Sequence, residues 1–237
     1  MKIFVAGASG SVGRRLLPLL RGAGHEVAGL TRSPAKASLL RGTGAEPIVA
    51  DALDPAAVMD AVRQAQPEIV VHELTSIKGL DLHNFDRGFA ETNRLRKEGT
   101  DYLLAAARAA GVRRFIAQSF AGWTYAREGG PVKTEEDPLD SHPPPTFRRT
   151  LEAIRHLESA VVGETVLEGL VLRYGSSYGP GTTIGQDGAR CRSILARPEF
   201  IMSSMMILFP FRNVYLPSRR GLARNRLAGS PPGSLVS

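Results

Sequence analysis

A chain of 237 residues, 43% hydrophobic and 22% charged, is long enough to bury a sizeable core, which excludes global disorder. Its net charge of +7 resides in residues 190–237, where eight arginines face the single acid Glu199 and lysine is absent; elsewhere 22 basic and 22 acidic side chains balance. The basicity belongs to a tail segment, without a basic stripe interleaved with aromatics in the main domain, which argues against a nucleic-acid partner.

No apolar run reaches the roughly eighteen residues of a membrane span, and residues 200–211 are too short. The N-terminus shows no leader pattern and the single Cys191 cannot pair internally, so a cytoplasmic protein is expected.

In chain order, Ile3-Phe4-Val5-Ala6 reads as a strand. Gly7-Ala8-Ser9-Gly10-Ser11-Val12-Gly13 reads as a tight turn, and the amphipathic run from Arg14 to Leu20 as a helix. In such a unit one glycine allows the turn, one lets a pyrophosphate approach the backbone, and one lets helix and strand pack closely. The helix start then offers N–H groups and the positive end of its dipole to phosphate. His25–Leu30 is the second strand, which completes the context of a dinucleotide fingerprint. Gly7, Ser9, Gly10, Ser11, Val12 and Gly13 are therefore candidate cofactor contacts.

Ala45–Ala50 reads as a third strand, and Pro55–Gln64 as a helix with Asp54 as its N-cap. Glu68–His72 is a fourth strand, in which His72 reads as a satisfied buried polar residue. A long helical pattern from Phe89 to Ala110 stops at Gly111. Val112–Gln118 is a fifth strand, residues 126–145 a loop, Phe147–Val162 a helix and Leu167–Arg173 a sixth strand. Alternating strands and helices predict an α/β, Rossmann-type doubly wound parallel sheet with its ligand crevice at the carboxyl ends of the strands.

After about residue 186 no regular element is assigned. Arginine without lysine, and an ending rich in Gly, Pro and Ser, is what an out-of-frame reading of a GC-rich gene gives. The expected organisation is a cofactor domain over 1–185 followed by an irregular segment over 186–237, a truncated or altered substrate region.

Cofactor choice is argued from charge. An NAD site places an acid about twenty residues past the glycines. Between Val27 and Ala45 there is none, whereas Arg32 follows the second strand and suits a 2′-phosphate. NADP is expected, with NAD as the alternative.

These pieces, with Asp51-Ala52-Leu53-Asp54, Thr92-Asn93, Glu98-Gly99-Thr100, Gly111 to Ile116 and Leu172-Arg173-Tyr174-Gly175, resemble an extended or atypical short-chain dehydrogenase/reductase of the NAD-dependent epimerase/dehydratase superfamily over residues 1–185. The resemblance implies that Asp51 and Ala52 flank the adenine. It implies that Leu74 lies near the nicotinamide ribose and that Ser119 ends the strand beside the reacting ring. Asn93 joins the cofactor-binding candidates. The family's tyrosine, with a lysine four residues later, is absent: no tyrosine here has lysine at that spacing, and Phe147 and Leu151 fall at the two positions. Tyr125, Thr124 and Ser119 are the candidate catalytic substitutes. The tally of histidines gives no metal-ligand spacing.

The expected function is an NAD(P)-dependent oxidoreductase passing hydride between nicotinamide and a small carbonyl or alcohol substrate. A non-catalytic NADP(H)-binding redox sensor is the alternative. The resemblance also implies a homodimer through helices 89–110 and 147–162, with Ala105, Ala106, Ala109, Ala110, Ile154 and Leu157 as packing residues; the alternative is that these residues all face the sheet.

Overall fold

The computed structural model describes residues 1–77, 85–121, 123–130, 132–175 and 214–215. Six strands lie parallel: β1 (Lys2–Ala6), β2 (Glu26–Thr31), β3 (Glu46–Val49), β4 (Ile69–His72), β5 (Arg114–Phe120) and β6 (Glu168–Tyr174). Their spatial order is β3-β2-β1-β4-β5-β6, and a two-residue strand β7 (Val214–Tyr215) pairs antiparallel on β6. The order reverses between β1 and β4, which puts the ligand crevice of such a sheet over their carboxyl ends. The predicted Rossmann-type architecture is the observed one. Residues 186–213 and 216–237 lie outside the described residues, and with them the expected character of the tail.

Period-two alternation splits the sheet's side chains between two cores. Phe4, Val70 and Phe115 face one side, against α3 (Pro55–Ala65), α6 (Thr100–Ala109) and α7 (Arg148–Val162). Ile3, Val5 and Val71 face the other, against α1 (Gly13–Gly22) and α2 (Ala37–Gly42). Every residue of β4 is buried, as expected of a central parallel strand covered on both faces. Asp54 caps α3 as predicted, accepting from the N–H groups of Ala56 and Ala57 at 3.0 and 3.1 Å.

One expectation is refined and one corrected. The helix expected over 89–110 runs from Ala90 to Ala109 and contains a π-helical turn (Leu95–Gly99) between α5 (Ala90–Arg94) and α6; the short α4 (Phe85–Gly88) precedes it. The π-turn carries an inward-facing arginine, Arg96, only 6% exposed, and hydrophobic periodicity gives no warning of it. Ala106, Ile154 and Leu157, expected to meet a partner copy, are at most 1% exposed within one chain. They pack in the chain's own interior and are not available to a dimer.

Candidate active site

The glycine turn divides its tasks as the sequence implies. Gly7 has φ +92°, and a Cβ there would stand 2.5 Å from the Glu73 carbonyl oxygen. A Cβ on Gly13 would meet the carbonyl oxygens of both Gly7 and Ala8 at 2.5 Å, so the turn presses on the first turn of α1. Gly10 donates its N–H to the Gly7 carbonyl at 2.9 Å, and its own Cβ position meets only that oxygen, at 3.1 Å. Gly10 thus presents the open face. Helix α1 has no side-chain cap at Val12 and no acid in its first turn, and exposed Arg14 and Arg15 flank it. An uncapped helix start beside an open glycine, with cations and no anion, fits the pyrophosphate of a dinucleotide. Ser9 ties this loop to β2 through Thr31, hydroxyl to hydroxyl at 3.1 Å; the Ser11 carbonyl accepts from Arg15 at 3.1 Å.

On the β2–β3 side, Arg32 follows β2 and its guanidinium lies 2.5 Å from Glu91, which also accepts from the Ser76 hydroxyl at 2.8 Å. The acid missing from the sequence around Arg32 is supplied from α5. The Arg32 side chain is still 54% exposed. Asp51 is exposed and accepts from the Leu53 N–H at 3.0 Å, while Ala52 is buried.

On the β4–β6 side, His72 is buried, as expected. One ring nitrogen lies 3.0 Å from the Thr100 hydroxyl and the other accepts from the Leu74 N–H at 3.2 Å. Burial, with Arg96 nearby, presses its pKa down to about 4, so it is neutral at pH 7. Asn93, 8% exposed, donates to the Thr150 hydroxyl at 3.0 Å, and Thr150 donates to Asp86 at 2.8 Å. Asp86 also accepts from the N–H groups of Arg149 and Thr150, capping α7 from more than sixty residues away in sequence.

The three expected catalytic side chains each have a partner within the chain. Ser119 donates to Glu158 at 2.5 Å, and Glu158 grips Arg173 through two hydrogen bonds of 3.0 and 2.8 Å. Thr124 is fully buried and donates to the Phe120 carbonyl at 3.0 Å. Tyr125 is 8% exposed, with the Arg173 guanidinium 5.2 Å above its ring. Phe147 and Leu151, which the resemblance sets at the tyrosine and lysine positions, are both apolar. Leu151 is buried, and Phe147 packs at 4.8 Å from both Phe85 and Trp123.

Sequence reasoning missed Glu73. It directly follows β4, its N–H donates to the Ala6 carbonyl at 2.8 Å, and it is 4% exposed. One carboxylate oxygen accepts from the Tyr174 hydroxyl at 3.0 Å; the other is buried without a hydrogen-bond partner. Burial pushes its pKa up to about 7, tempered by the Tyr174 hydrogen bond. The partners are 101 residues apart, and no spacing rule connects them. Among the described residues, no helix is long and apolar enough to cross a membrane and no group of His, Cys, Asp and Glu suits a metal ion.

A family model described as NAD(P)H-binding matches residues 7–176. A 3-diazoavenalumate denitrifying reductase from a Streptomyces species is 45% identical over 197 residues, 83% of this chain and 62% of the relative. A 4-hydroxy-2-methyl-3-oxo-4-farnesyl-3,4-dihydroquinoline-1-oxide ketoreductase of Stigmatella aurantiaca is 28% identical over 85% of this chain and 50% of its own length. The chain therefore spans between half and two thirds of these relatives. Among solved structures, a short-chain dehydrogenase/reductase superfamily protein of Agrobacterium tumefaciens with bound NAD is 32% identical, with a TM-score of 0.56 over 74% of this chain and 49% of that one. UDP-glucose 4-epimerase of Thermus thermophilus in complex with NAD is 25% identical, with a TM-score of 0.59 over 79% of this chain and 60% of that one.

Proposed function

From a chain that belongs to the NAD(P)H-binding family, within the short-chain dehydrogenase/reductase and NAD-dependent epimerase superfamily, we propose a reductase that takes NADPH and delivers hydride to an electron-poor diazo arene. The observation that carries this reading is the pair Phe147 and Leu151, apolar where the family has its tyrosine and lysine. Reduction of a carbonyl needs a proton donor as well as a hydride. An arene diazonium does not: it accepts one hydride, dinitrogen leaves, and a C–H bond replaces the C–N bond, with no proton taken from the protein. The reduced nicotinamide, when bound, supplies that hydride. The chain's part is to bind and orient: the Gly7–Gly13 turn for the pyrophosphate, with the aromatic side chains of Phe85, Phe89, Trp123 and Phe147 beside a planar substrate. The 45% identity to a diazo-directed reductase supports the substrate class.

The test is anaerobic incubation with NADPH and para-carboxybenzenediazonium. One dinitrogen released and one benzoate formed per NADPH oxidised, faster than without protein, is the expected result. Tight NADPH binding without any such turnover favours the second reading, a cofactor-binding sensor, to which the missing tyrosine and lysine also point.

The NADP preference rests on Arg32. A charge-assisted hydrogen bond is worth roughly 1.5–3 kcal/mol, and here a 2′-phosphate competes with Glu91 for it, so a preference of about tenfold over NADH is expected. Arg32→Asp should reverse the preference and Glu91→Gln should widen it. Dissociation constants for both cofactors with each variant check this. Equal wild-type affinities, or a ratio unmoved by Arg32→Asp, would leave Arg32 as a partner of Glu91 alone.

A further inference from the structure

Hydride reduction of a diazonium keeps one positive charge in the site throughout. The charge sits on the substrate before the step and on the nicotinamide ring after it. Such a site is served by a group that is negative while the cation is present. The proteins of this sheet order bind a dinucleotide across the switch point, with its two halves on opposite sides. The adenine candidates Arg32, Asp51 and Ala52 lie on the β2–β3 side, which leaves the carboxyl ends of β4–β6 for the nicotinamide half. Glu73 stands there, at the end of β4 and against the glycine turn through Gly7. Tyr174, the last residue of β6, reaches across to hold one of its oxygens. The other oxygen is buried and unpartnered.

A buried oxygen without a partner is costly, the more so if charged, unless something arrives to satisfy it. We infer that Glu73 is the counter-ion of a cationic site: it ionises when a positively charged ring or diazo group comes beside it, and is held in place by Tyr174. The inference rests on the cofactor reading above. The surroundings favour the neutral form when no cation is present, since burial disfavours charge and pushes the carboxyl up to about 7. Tyr174 is the titratable group in contact with the carboxyl, and it donates. His72, one residue earlier, is neutral. Arg96, from the π-helical turn, acts on His72. The Glu158–Arg173 pair on α7 and β6 engages Ser119, the Glu135 carbonyl and the Tyr125 ring.

The consequence is a proton released when the oxidised cofactor binds. An opposite charge within about 4–6 Å lowers a carboxyl pKa by 1–3 units. A group titrating near 7 is half protonated at pH 7, so binding of the cation should expel about half a proton. NADPH has the same 2′-phosphate and the same pyrophosphate but an uncharged ring, so it isolates the contribution of the ring.

The experiment is calorimetric titration of the full chain with NADP⁺ and with NADPH at pH 7, in two buffers of different ionisation enthalpy. Wild type should release about half a proton more with NADP⁺ than with NADPH. Glu73→Gln should bind NADPH normally, lose that difference, and bind NADP⁺ about tenfold more weakly. Tyr174→Phe removes a hydrogen bond to the ionised form, so Glu73 is more fully protonated beforehand and the difference should rise toward one proton. A purely structural Glu73 predicts no change in proton count for either variant. Equal proton release by wild type and Glu73→Gln, with both binding NADPH, overturns the inference while leaving the cofactor reading intact. Failure of wild type to bind NADPH overturns both.

Discussion

Gly10→Val is expected to weaken NADPH binding at least about a hundredfold while leaving the fold in place. The reason lies in how the three glycines differ. A side chain on Gly7 or Gly13 would collide with backbone oxygens at 2.5 Å, and Gly7 also has φ +92°, so changes there confuse folding with binding. At Gly10 a Cβ meets a single oxygen at 3.1 Å, a contact that small shifts relieve. The branched side chain would then fill the open face beside the start of α1, where the pyrophosphate must approach the backbone. Thermal unfolding and a fluorescence titration with NADPH, run on the same preparation, separate the two effects. A folded Gly10→Val protein with wild-type affinity would mean that the dinucleotide does not lie on this turn.

Glu158→Ala carries the largest expected cost in stability, about 3–5 kcal/mol. Its side chain is 13% exposed and its partner Arg173 is 16% exposed, and the pair joins α7 to β6. Deletion leaves a largely buried guanidinium without its carboxylate. It also leaves the Ser119 hydroxyl without its acceptor. Removing both charges, as in Glu158→Ala with Arg173→Met, should recover much of the loss, because an ion pair of this kind costs desolvation to form. Urea unfolding of the two variants checks both parts. A loss below about 1 kcal/mol for Glu158→Ala would place the pair with weakly contributing surface bridges. The surface pair of Arg63 with Asp60, both largely exposed, is the internal comparison.

What was legible in the sequence is what local chemistry determines. The glycine turn, the Asp54 cap, the strands and the buried His72 each follow from residue type and near-neighbour spacing. Strand ends shifted by a residue or so, as at Glu46–Val49, because the edge of hydrogen bonding depends on the neighbouring strand. The site was only partly legible, because its decisive pairings are long-range. Arg32 meets Glu91 across 59 residues, Asp86 caps α7 across 63 and 64, and Tyr174 reaches Glu73 across 101. Ser119 lies in β5, and Thr124 and Tyr125 follow it. The Ser119 and Thr124 hydroxyls, however, turn to Glu158 and the Phe120 carbonyl, a direction that no sequence pattern encodes. The π-helical turn is similar. It buries Arg96 within a run whose composition reads as ordinary helix.

The most direct test of the central claim follows the hydride itself. Wild-type chain is given NADPH carrying deuterium at both positions of the transferring carbon of the reduced ring, together with para-carboxybenzenediazonium in ordinary water. A single deuterium in the recovered benzoate, at the ring carbon that bore nitrogen, is the predicted result. Benzoate carrying only solvent hydrogen there, or no benzoate beyond that formed without protein, would contradict it.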